Sequence, residues 1–209
     1  MKKYLLAVLA LGATMMMACE PANKEGNEPE VTPDFVVNAE SEYSMVQGII
    51  TPYGDYYEVG AANYYLELAC LVSGEDGMPM QAIILALDYS LAADNVDGLG
   101  TVKADVLNPT TEDYSYAPGT YVPGFVRENF LVGSGIMIQD YTTNTITNYV
   151  FVHGDITVSK AGDVYSVKGL VTCEDGKVVK LNYEGALVFY DEEGNSGIAP
   201  LKKGIQLKK

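Results

Sequence analysis

"YSVKGLVTCEDGKVVKLNYEGAL", Tyr165 to Leu187, alternates apolar and polar side chains on both sides of Glu174-Asp175-Gly176. A period of two is the signature of a strand with one face in a core. It puts Tyr165, Val167, Gly169, Val171 and Cys173 on one face, and Ser166, Lys168, Leu170 and Thr172 on the other. Beyond the turn, Val179, Leu181, Tyr183 and Leu187 share a face, opposite Lys180, Asn182 and Glu184. Asp175-Gly176 joins the two strands into a hairpin, because Gly enters the positive-φ region of a tight turn without steric cost.

Working outward, "GDITVSK" (Gly154 to Lys160), Ala161-Gly162 and "DVYSVKG" form a second hairpin that shares its later strand with the first. Three consecutive strands therefore make an antiparallel meander. The segment "LVTCEDG" at Leu170 to Gly176 also has a near-twin, "LVSGEDG", at Leu71 to Gly77, with five of seven residues the same. Superposing them puts Leu66 over Tyr165, Leu68 over Val167 and Val72 over Val171, so the apolar phase is kept. Acidic residues and Gly are what a turn requires, so the repeat reads as a turn used twice rather than as a ligand site.

"MQAIILALDYS", Met80 to Ser90, is apolar on both faces and reads as a central, covered strand. Further strands are expected at Tyr43 to Thr51, Tyr121 to Leu131, Ile136 to Tyr141 and Ile146 to His153. The fold class is all-β: an antiparallel two-sheet sandwich or a flattened barrel of about 8–10 strands, built from meander hairpins. Leu91 to Thr120 is poorly patterned, with Pro109 and Pro118. Long loops in compact domains tend to carry function, unless "TVKADV" within it is a strand.

The chain opens "MKKYLLAVLALGATMMMACEPANKEGNEPE". Two lysines precede an apolar run too short to span a bilayer, which reads as an export signal. The following "MMAC" resembles the lipobox of bacterial lipoproteins, with Met16 in place of the usual leucine. That resemblance implies a signal peptide over residues 1–18 and acylation of Cys19 as the first mature residue. It also implies a membrane partner reached through acyl chains and an outer-membrane location, with the cell surface the further expectation. Residues 19–39 then form an acidic, Pro-rich tether, and 40–209 a single domain. The meander from Gly154 to Leu187 resembles a pattern in all-β lipoproteins of Gram-negative anaerobes, which bears on fold and carries over no catalytic residue.

Thirteen basic against 28 acidic side chains give a net charge of −15. Loss of residues 1–18 would remove two lysines and no acid. Nucleic acid is excluded as a partner, since its binding depends on neutralising phosphates. Anionic lipid head groups would repel the chain as well.

No convincing catalytic set emerges. His153 is the only histidine, and one His makes no metal cluster. Asp155 is two residues on, but a triad needs a nucleophile too, and Ser134 in "VGSGI" lacks the G-x-S-x-G spacing. Glu75-Asp76, Asp94 with Asp97, and Asp191-Glu192-Glu193 lack calcium-loop spacing and read as solvated turns. Cys70 and Cys173 fall on inward faces; buried thiols packing as small hydrophobes are the favoured reading, with a disulfide the alternative in an oxidising compartment. No cofactor and no metal are expected.

The tyrosines are the distinctive feature. "YGDYYEVGAANYY" holds Tyr53, Tyr56, Tyr57, Tyr64 and Tyr65, and "YSYAPGTY" holds Tyr114, Tyr116 and Tyr121. Tyr64 is expected inward with Leu66, and Tyr65 outward with Glu67. Surface Tyr rings suit recognition, being apolar on the face and wet at the hydroxyl. Tyr53, Tyr56, Tyr57, Tyr114 and Tyr116 are therefore the candidate ligand-binding residues, for a glycan, a peptide or a partner protein. The expectation is a non-enzymatic binding module. The alternatives are an envelope scaffold without a small-molecule ligand, or a lipocalin-like carrier.

Overall fold

A computed structural model of the chain describes residues 35–37 and 47–190. Every regular element in them is a strand: β1 (Phe35–Val37), β2 (Gln47–Gly54), β3 (Ala61–Ser73), β4 (Pro79–Ala92), β5 (Gly100–Ala104), β6 (Leu107–Asn108), β7 (Asp113–Tyr114), β8 (Thr120–Tyr121), β9 (Phe125–Arg127), β10 (Phe130–Val132), β11 (Gly135–Asp140), β12 (Thr145–Ala161), β13 (Val164–Cys173), β14 (Val178–Gly185) and β15 (Val188–Phe189). The protein is all-β, as its alternation requires.

The arrangement departs from the expected antiparallel sheets of about 8–10 strands. Eleven strands form one mixed sheet, in the order β1-β14-β13-β12-β5-β8-β4-β3-β2-β15, with β11 bridging β12 and β4. The β6/β7 and β9/β10 pairs stand apart as two-stranded ribbons. Three pairs are parallel, β1 with β14, β5 with β8 and β15 with β2. Each involves a strand of two or three residues, β1, β8 or β15, too short to show alternation, which is why the pattern could not reveal them.

The meander is as its sequence dictates. β12 pairs β13 and β13 pairs β14, both antiparallel. Tyr165, Val167, Val171, Cys173, Val179, Leu181, Tyr183 and Leu187 all face the core. Outside, Lys168 meets Glu184 at 2.6 Å, an exposed pair of the kind worth at most about 1 kcal/mol.

The repeated heptads fold alike. Gly77 N–H donates to the Gly74 carbonyl, and Gly176 N–H to that of Cys173, both at 2.9 Å. Each Gly has positive φ, +76° and +82°. Asp76 Oδ1 accepts from Met78 N–H at 3.0 Å, and Asp175 Oδ1 from Lys177 N–H at 3.1 Å. Both carboxylates are occupied in closing their own turns.

Two expected strands are one. β12 runs 17 residues through both Ile146–His153 and the Ile156/Val158 segment. A bulge between Phe151 and His153 and Gly154 at φ +108° let it bend without breaking. A Cβ on Gly154 would overlap the Leu170 carbonyl oxygen, so the strand can pass β13 there only as glycine. Its first half pairs β11 and its second half β5. Conversely, the strand expected over Tyr121 to Leu131 is broken into β8, β9 and β10. Glu128 and Asn129, at φ +52° and +74°, fold its middle into a tight turn.

β4 is central, paired with β3 on one edge and with β11 and β8 on the other. Ile83, Leu85, Leu87 and Tyr89 are fully buried on its inner face; opposite them Ala86 and Ser90 are buried and Ala82 and Ile84 half-buried, so the outer face is covered in part. One apolar core draws on β1 through β5, β8 and β11 through β15, and includes Cys70 and Cys173; Cys173 keeps its thiol, so the alternative of a Cys70–Cys173 disulfide does not hold. Val37, inside the span expected to be tether, is fully buried and β1 pairs β14, so Phe35–Val37 belongs to the sheet. The segment after Leu91 contains β5, which covers most of "TVKADV" and removes it from the long loop.

Candidate functional site

The loop between β2 and β3 is built around one carboxylate. Asp55 Oδ1 accepts from Val59 N–H at 2.9 Å, and both its oxygens accept from Gly60 N–H. Glu58 at φ +59° and Gly60 at φ +75° complete the bend. The loop holds Tyr56 at the surface, 55% exposed, and turns Tyr57 back over the sheet.

Tyr57 is latched to β4. Its hydroxyl donates to Asp88 Oδ2 at 2.6 Å, while Asn63 Nδ2 donates to Asp88 Oδ1 at 2.9 Å. Asp88 sits on the outer face of β4, directly across from Tyr65, and its N–H donates to Ser134 Oγ at 3.1 Å. Burial raises the Asp88 carboxyl above the usual range, and the Tyr57 and Asn63 hydrogen bonds pull it partly back. Burial also pushes the Tyr57 phenol far up, with Asp88 adding to the effect. Tyr65 is raised likewise, first by burial and then by Glu67 and Asp88.

The other half comes from the excursion after β5, fastened by Asp105. Asp105 is buried; its Oδ2 accepts from Tyr116 N–H at 2.7 Å, and its Oδ1 from Ser115 Oγ at 2.5 Å. These bonds hold Tyr116 at φ +50°, a conformation an aromatic residue rarely adopts. The Tyr116 hydroxyl donates to Asp113 Oδ1.

The two tyrosine groups, about sixty residues apart in sequence, meet. The Tyr57 and Tyr116 rings stack at 3.6 Å between centroids, 10° from parallel. Tyr56 stands edge-on to Tyr57 at 5.1 Å, Tyr53 lies 5.8 Å from Tyr56, and Tyr114 lies 6.3 Å from Tyr116. All five candidate residues thus form one contiguous platform. Tyr64 is in the core, as expected, with its hydroxyl on the Asn95 carbonyl at 2.7 Å. Burial, with Asp97 adding, raises it to about 12.

Sequence reading missed the platform's anchors. Asp88 could have been noticed as the single charge in the apolar run "AIILALDYS", since a buried acid needs partners. Asp105 carried no comparable signal.

The remaining candidates do not gather into chemistry. Ser134 is fully buried, with its hydroxyl on the Asp88 backbone. His153 is exposed on β12, across from Thr172. Among the described residues no three His, Cys, Asp or Glu side chains converge as a metal cluster. No helix among them is long and apolar enough to cross a membrane. Cys19 and Asp191-Glu192-Glu193 lie outside the described residues. No protein-family profile, curated protein or solved structure matches the chain.

Proposed function

We propose that the protein is a lipid-anchored cell-envelope module that binds a glycan, peptide or partner protein on its tyrosine platform and performs no catalysis. The observation that carries this reading is the convergence of Tyr53, Tyr56 and Tyr57 with Tyr114 and Tyr116. Aromatic rings held rigid before a ligand arrives lose little conformational entropy on binding, so they suit recognition. The anchor rests on the lipobox at Cys19, and the outer membrane is the location that goes with it. In this reading the eleven-stranded sheet is a flattened barrel. Its support is the single core and β15, which follows β14 directly and pairs β2 at the far end of the sheet.

A scaffold without a small ligand is the second reading. It is favoured by the Tyr57–Tyr116 stack, in which each ring covers a face of the other. Thermal unfolding of the full chain against neutral oligosaccharides and peptides separates the two. Ligand at 100 times its dissociation constant adds about 2.7 kcal/mol. At this size that raises the midpoint by roughly 5 to 10 °C. A shift that disappears in Tyr56→Ala and Tyr114→Ala supports the platform. A shift indifferent to both, or none at all, supports the scaffold.

A further inference from the structure

We propose that the platform takes the guanidinium group of an arginine on an extended partner peptide, stacked on Tyr56 and flanked by the carboxylates of the two loops. This rests on the platform being a binding site and specifies what it binds.

Charge is the first argument. Residues 47–121, which supply the whole platform, contain eleven carboxylates and a single cation, Lys103. Asp55 and Glu58 share the loop of Tyr56 and Tyr57, while Glu112 and Asp113 adjoin Tyr114 and Tyr116. An anion would be repelled, and a neutral ligand would gain nothing from this field.

The rings supply the second argument. Tyrosine faces carry negative potential and attract cations within about 6 Å of the centroid. Elsewhere the protein already pairs its own cations with tyrosine. Lys160 Nζ stands 4.3 Å from the Tyr165 centroid, and Lys177 Nζ 4.9 Å from that of Tyr149.

Geometry selects arginine over lysine. Tyr56 is 55% exposed, with its plane 85° from that of Tyr57, so it offers a ligand the aromatic surface that the mutually stacked Tyr57 and Tyr116 do not. A planar guanidinium stacks on such a face and still aims its N–H fork sideways at carboxylates, whereas an ammonium is a compact, strongly hydrated charge.

The test is calorimetric titration of the full chain with tetra-arginine, tetra-lysine, tetra-citrulline and a neutral oligosaccharide. Citrulline keeps the planar urea shape without the charge. Expected is binding of tetra-arginine, weaker binding of tetra-lysine and none of tetra-citrulline. Tyr56→Ala should weaken tetra-arginine about 2- to 5-fold, the worth of one exposed cation–π contact. Tyr56→Phe should keep it within twofold, and Glu58→Gln with Glu112→Gln should weaken it further. If Tyr56→Ala binds tetra-arginine as wild type does, the attraction is bulk charge and the inference is overturned. If the oligosaccharide binds through Tyr56 and tetra-arginine does not, the inference falls while the platform stands. If nothing binds, both fall.

Discussion

Replacing Tyr57 by phenylalanine removes one oxygen and leaves the ring on Tyr116. The hydroxyl donates at 2.6 Å to Asp88 Oδ2, at a carboxylate that burial already holds above its usual pKa. A hydrogen bond to a charged group contributes about 1.5–3 kcal/mol. At 2–4 °C per kcal/mol for a domain of this size, the midpoint should fall roughly 3 to 12 °C at neutral pH. The loss should depend on pH. The Tyr57 hydrogen bond favours ionised Asp88, so the variant is penalised most where Asp88 is charged. As pH falls through the folded-state pKa of Asp88 the acid is neutralised, and the penalty shrinks toward that of a neutral hydrogen bond, about 1 kcal/mol. Denaturant unfolding of wild type, Tyr57→Phe, Asp88→Asn and the double variant at pH 4 and pH 7.5 closes a cycle. A coupling free energy below about 0.5 kcal/mol at pH 7.5 would refute the latch, since non-interacting sites add to within that margin. So would a coupling that is the same at both pH values.

Asp88→Asn alone should flatten part of the stability–pH profile. A carboxyl whose folded pKa is raised binds its proton more tightly in the folded state. Its stabilising contribution is therefore complete below the unfolded value and lost as pH rises through the folded one. The wild-type minus Asp88→Asn difference should accordingly fall as pH rises from about 4, and a rising difference would contradict the raised pKa. Gly154→Ala combines φ +108° with overlap on the Leu170 carbonyl, and should cost more than about 3 kcal/mol or prevent folding. Gly77→Ala and Gly176→Ala meet nothing within 4 Å, so only the backbone penalty applies. Each should cost about 1–2 kcal/mol, and similar values at the two turns are the signature of one turn used twice. Cys19→Ser should abolish incorporation of labelled fatty acid in a bacterial host that processes lipoproteins; undiminished labelling would remove the lipobox reading.

How much of this was legible follows from how far apart the cooperating residues lie. The meander from Gly154 to Leu187 and both acidic turns were readable because strand period and turn chemistry are local. Asp76 and Asp175 bond backbone amides two residues on, and nothing distant is involved. β1, β8 and β15 were not readable, since two or three residues cannot display a period and their partners are far along the chain. The break at Glu128-Asn129 was hidden for another reason. Neither residue is glycine, and Asn129 alone in "VRENFL" leans toward the positive φ that both adopt, too weak a signal to break the strand pattern. The five platform tyrosines could be nominated by their density. Their meeting could not, because it depends on Asp88 and Asp105, which reach residues 31 and 11 positions away.

Those two carboxylates, with Asp55, also separate the acids of the chain into two kinds. Asp55, Asp88 and Asp105 accept hydrogen bonds from loop amides or side chains, and each fixes a piece of backbone that carries a tyrosine. Glu58 and Glu112 are exposed residues of those same loops. The first kind sets where the rings stand, and the second sets the potential that the proposed ligand would meet on approach. Neutralising one of the first kind should therefore lower stability and binding together, because the ring moves with its anchor. Neutralising one of the second should weaken association and its salt dependence while leaving the unfolding midpoint in place. A platform that merely packs the two loops together would show the first behaviour and not the second.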